Sequence, residues 1–186
     1  MIPTLSPAGF LPLGRHSCTI EELEQTFVLS PPFSTSSTRA QCLADFRSAK
    51  TMLDQLHPAL VEANWIGGSF TTAKVDPDDL DSLFIIRESA FDELGSNNKK
   101  RKVLEFGKSQ QLRKKLGLRV DAFMFVRQRI PQPWRAGGID PEFQSAFALR
   151  GAWDDWWQRS RRGPDKDDAP TIESSDPVRG YLEVNW

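Results

Sequence analysis

Between residues 65 and 86 the chain passes from Trp65-Ile66 through Gly67-Gly68-Ser69 and a polar connection into Asp79-Leu80-Asp81, then into the β-favouring run Leu83-Phe84-Ile85-Ile86. This order predicts a strand, a tight turn and a second strand. Residues 118–126, Leu-Arg-Val-Asp-Ala-Phe-Met-Phe-Val, predict another strand, and residues 178–184 a last one at a sheet edge. Helical spacing appears over residues 39–56, where Leu43, Phe46, Ala49, Leu53 and Leu56 recur at three- and four-residue steps before His57-Pro58 ends the pattern. Thr19-x-x-Glu22 has the form of a capping box opening a short helix through about Phe27, and the last residues of 34–38 can cap the 39–56 helix. Residues 91–117 predict one further helix, capped at Asn98 or a neighbour and weakened at Gly107, with Val103, Leu104, Leu112 and Leu116 inward. A helix over 141–157 presents Phe143, Phe147, Trp153, Trp156 and Trp157 for core or oligomer contact.

Prolines and glycines at Pro3, Pro7, Gly9, Pro12 and Gly14 turn residues 1–18 into an expected extended arm. Charged, proline-bearing residues 159–176 read as a mobile surface loop, in which Asp165, Asp167 and Asp168 lack the fixed geometry of a metal site. With 186 residues, 39% hydrophobic and 26% charged, the expectation is a single globular domain over 1–186. No apolar run approaches the ~20 residues of a membrane span, so no membrane partner is expected. The N-terminus lacks a basic and apolar leader, and Cys18 and Cys42 stand in no pairing motif, which points to the reducing cytoplasm. A net charge of −1 argues against a positively coated nonspecific DNA binder. The cations Lys99, Lys100, Arg101, Lys102, Lys108, Arg113, Lys114 and Lys115 read first as a solvated helix face; the sharper reading is a guide for triphosphate or nucleic acid.

Candidate chemistry gathers around the strand–turn–strand. Gly67, Gly68 and Ser69 can bring bare backbone N–H groups against a phosphate, because glycine has no Cβ to block the approach. Asp79 and Asp81 lie two apart at the start of a strand, so alternation aims both carboxylates at one face, and paired carboxylates with substrate phosphates suit Mg²⁺. Asp121 interrupts an apolar strand. Alone it reads equally as an edge residue facing water, but beside the Asp79/Asp81 pair it reads as a third carboxylate whose charge a metal would compensate. Together Asp79, Asp81 and Asp121 would hold Mg²⁺ ions roughly 3.5–4 Å apart, and Lys74 could add positive charge to a triphosphate. His16, a lone loop histidine, reads as a structural hydrogen-bonder.

Gly68-Ser69, nine residues, then Asp79-Leu80-Asp81 resembles the signature of the nucleotidyltransferase superfamily that includes polymerase beta and the minimal nucleotidyltransferases of bacterial toxin–antitoxin loci. More narrowly, Ile2-Pro3, Leu11-Pro12-x-Gly14-x-His16, Gly68-Ser69-Phe70-x-Thr72-x-Lys74-x-x-Pro77-x-Asp79 and Arg179-Gly180-x-x-Glu183 look like a bacterial family related to those enzymes. The resemblance implies an α+β fold with a nucleotidyltransferase-like mixed sheet and helices packed on one face, and a third acid on a later neighbouring strand. It also implies transfer of a nucleoside monophosphate from a nucleoside triphosphate to a hydroxyl of RNA, such as tRNA, or of a partner protein, in a toxin–antitoxin or defence setting. The rival expectations are a noncatalytic binding module or antitoxin-like partner on the same fold, and a structural or oligomeric role for the tryptophan-rich helix.

Overall fold

The computed structural model describes residues 1–108, 110–160 and 169–186. In chain order the regular elements are β1 (Arg15–Cys18), α1 (Ile20–Glu24), α2 (Arg39–Asp54), β2 (Val61–Gly67), β3 (Leu80–Arg87), α3 (Glu88–Asp92), α4 (Asn97–Phe106), α5 (Gln111–Leu116), β4 (Val120–Arg127), β5 (Trp134–Arg135), β6 (Gly138–Ile139), α6 (Gln144–Trp157) and β7 (Tyr181–Asn185). Among the described residues the strands form a mixed five-stranded sheet in the order β1-β7-β2-β3-β4 and a small β5-β6 ribbon. The fold is therefore α+β. β1 pairs parallel with β7, β2 runs antiparallel to both β7 and β3, and β3 pairs parallel with β4.

Alternation along the strands divides the core in two. Ile66, Leu80, Phe84, Ile86, Leu182 and Val184 face α1 and α2, packing with Leu23, Phe27, Leu43, Phe46 and Leu53. Ala63, Trp65, Leu83, Ile85, Phe125 and Tyr181 face the other way and pack with Trp157 and Trp153 of α6. Helices thus cover both faces rather than one, because the aromatic stripe of α6 needs an apolar surface of its own to bury.

Several local expectations hold at residue level. Thr19 Oγ1 accepts from Glu22 N while the Glu22 carboxylate accepts from Thr19 N, and a π-helical turn over Gln25–Leu29 continues α1. His16 Nε2 lies 2.8 Å from the Pro12 carbonyl. The 39–56 stripe is α2, whose first backbone N–H groups, at Thr38 and Arg39, are taken up by Ser36 Oγ.

Elsewhere the structure differs. The 1–18 arm ends in β1. The stretch expected as one helix holds two, α4 and α5, with Ser96 as the cap of α4, and Leu104 and Leu116 are exposed rather than inward. The last strand lies inside the sheet between β1 and β2, not at its edge. Of the expected 159–176 loop, residues 161–168, with Asp165, Asp167 and Asp168, lie outside the described residues.

Candidate active site

A row of three positions crosses the sheet where β2 ends and β3 and β4 begin: Gly67 pairs with Asp81, and Asp81 with Asp121. Residues directly opposite on neighbouring strands share a face, so both carboxylates project from the side that carries α6. The next row on that face is Trp65, Leu83 and Phe123, which α6 covers. Gly67 is bare because Trp157 lies over it; a Cβ there would sit 2.5 Å from the indole Cε3. The aromatic cover therefore stops at the glycine.

Gly68 follows with φ 65° and ψ −158°, a conformation essentially confined to glycine, and starts the 3₁₀ turn Ser69–Thr71. A Cβ on Gly68 would overlap the Asp81 carboxylate, so this acid folds directly against the turn. Arg179 Nη1 donates to the Gly68 carbonyl at 2.9 Å. Burial lowers the Arg179 guanidinium below its ordinary range, while the Asp81 charge pulls the other way. Arg179 thus carries positive charge beside both turn and acid, and its Nε is buried with no hydrogen-bond partner among the described residues.

Asp121 is half-buried. Its carboxyl is raised above the usual aspartate range, first by burial and then by the neighbouring Asp79 charge, with the Gln110 backbone N–H acting against both. Its Oδ1 is buried without a partner among the described residues. Asp79 stands just ahead of β3, where Arg113 Nη1 reaches its Oδ2 at 3.3 Å; the same guanidinium holds Asp78 at 2.9 and 3.1 Å. Asp76 is engaged elsewhere, accepting from Ser36 Oγ, Ser37 N and Ser37 Oγ.

The loop joining the turn to the acids is held by Arg39, which is fully buried. Its guanidinium donates to the carbonyls of Phe27, Phe70, Thr72, Lys74 and Val75, and lies 4.0 Å from the Phe33 ring centroid. Burial brings its pKa down to about 10, so it remains charged at neutral pH.

Thus Gly67, Gly68, Ser69, Asp79, Asp81 and Asp121 gather at one end of the sheet. Lys74 is exposed, and its backbone carbonyl serves Arg39. Among the described residues no group of three or more His, Cys, Asp or Glu side chains stands in metal-holding geometry. The donor chemistry nevertheless suits a hard cation: carboxylates on one face, one of them with a buried oxygen that has no donor among the described residues. Sequence reasoning missed Arg113, Arg179 and the Gln110 N–H as parts of this constellation. Arg179 had left a trace in the closing Arg-Gly-x-x-Glu segment, and Arg113 among the cations whose sharper reading is a guide for triphosphate.

The sequence profile of a family of unknown function (DUF6932) matches residues 3–184. The chain belongs to that family. No curated protein and no solved structure matches this member of DUF6932.

Proposed function

We propose that this chain is a Mg²⁺-dependent nucleotidyltransferase, moving a nucleoside monophosphate from a nucleoside triphosphate to a hydroxyl of RNA or of a partner protein. The observation that carries this reading is the in-register pair Asp81 and Asp121, one residue from the glycine turn across the same row. Asp79, Asp81 and Asp121 would hold the ion, which when bound supplies charge neutralisation for the triphosphate and a lowered pKa for the acceptor hydroxyl. The backbone N–H groups and hydroxyl of Ser69, with the bare Gly68, would receive the β- and γ-phosphates. Arg179 fixes that turn through the Gly68 carbonyl, and Arg39 fixes the connection leading to the acids. In-line attack of the hydroxyl oxygen on the α-phosphorus would release pyrophosphate, with the chain contributing mainly placement and electrostatics.

The test is incubation with each α-phosphate-radiolabelled nucleoside triphosphate, Mg²⁺ and total RNA or cell lysate, comparing wild type with Asp79→Asn and Asp81→Asn. Label transferred by wild type and lost in both variants is expected. If no Mg–nucleotide raises the melting temperature and no label moves, the reading fails. A noncatalytic binding module is favoured by one specific feature, the Arg113 ion pair that occupies Asp79. Its mark would be a nucleotide-dependent rise in melting temperature without any transfer.

A further inference from the structure

On the α6 side of the sheet, away from the acids, two concavities meet at Arg150. One, of about 570 Å³, is lined by Arg127, Gln128, Arg129, Ile130, Pro131 and Arg150. The other, of about 440 Å³, adds Arg15, Trp65, Phe147 and Asp154. Four arginines thus line the joined groove against one carboxylate, and Asp154 is occupied by the Tyr181 hydroxyl and Gln158. Arg127 pairs with Glu62 and Arg15 with Glu183, whereas Arg129 and Arg150 have no ion pair among the described residues. Arg87 stands directly opposite Arg127 on the neighbouring strand. Like charges so placed repel and favour an anion between or above them.

We propose that this groove seats the phosphate backbone of an RNA. Guanidinium forks match phosphate oxygens, and the half-buried Phe147 in the wall offers a ring for a base, a mixture that suits RNA better than an acidic peptide. The groove also leads to the glycine turn. Arg150 precedes Trp157 by seven residues, about 10 Å along α6, and Trp157 lies on Gly67. At the other end Arg127 is six residues, about 20 Å, along β4 from Asp121. An RNA lying there would bring its end to the acids. Binding stands independently of nucleotidyl transfer; the role of that RNA as acceptor rests on the function proposed above.

The test is fluorescence anisotropy with a short fluorescein-labelled hairpin RNA bearing a single-stranded 3′ tail, titrated at several salt concentrations. Arg129→Gln/Arg150→Gln, both exposed positions, is expected to weaken binding about tenfold or more and to flatten the log–log salt slope by about 1.4, the loss of two single-strand phosphate contacts. Asp81→Asn should bind as wild type does, so a failure of catalysis and a failure of the groove register in different assays. No binding by wild type, an unchanged affinity and slope in the double variant, or displacement by poly-glutamate as readily as by unlabelled RNA would each overturn the assignment.

Discussion

Asp121 carries its charge in a half-buried position with one oxygen that has no hydrogen-bond donor among the described residues, an arrangement that opposes folding. Its carboxyl is raised in the folded protein, so the native state binds more protons than the unfolded one between the ordinary aspartate value, about 3.9, and the raised value. Stability contributed at this residue therefore falls as pH rises through that window and stays lower above it. Asp121→Asn is expected to abolish transfer yet raise the melting temperature at neutral pH, with the two proteins converging towards acid pH, as thermal unfolding across a pH series would record. Gly68→Ala should do the opposite to stability. Its Cβ would overlap the Asp81 carboxylate on a backbone that side chains avoid, for a loss of about 1–3 kcal/mol by urea titration.

At the scale of the element, the connection between β2 and β3 is ordered by a side chain distant in sequence. Arg39 satisfies five carbonyls at once, and replacing it leaves those of Phe27, Phe70 and Thr72 buried without this donor. Arg39→Met is expected to destabilise by at least about 3 kcal/mol in chemical denaturation. Arg39→Lys should recover little of this, since one ammonium has three donors on a different geometry. This part of the site was not legible in the sequence: an arginine opening a helix after a run of serine and threonine has the local pattern of a solvated residue. The strand–turn–strand was legible, because glycine, strand propensity and alternation are local properties. The split between α4 and α5 was only half legible. Gly107 marked a weak point, but that α4 ends there follows from tertiary contact, since a Cβ at Gly107 would meet Met124 Cγ of β4 at 2.7 Å.

At the scale of the whole molecule, Glu183 joins three strands, accepting from Trp65 Nε1 at 2.8 Å and Ser17 Oγ at 3.4 Å and pairing with Arg15. Strand propensity in residues 178–184 was visible in the sequence, but the choice of neighbours was not, because pairing over such separations leaves no local pattern. Removing residues 181–186 should strip β1 of its sheet partner and Trp65 of its cover, replacing a single cooperative thermal transition by a broad one with exposed hydrophobic surface, measured by dye binding. The consequence reaches into synthesis. Ser17 and Glu183 are 166 positions apart, so the sheet cannot close before the strand that carries Glu183 has left the ribosome. Until β7 emerges, β1 waits without its sheet partner, and closure of the sheet should be slow, with the unpaired strand open to misassociation during that interval.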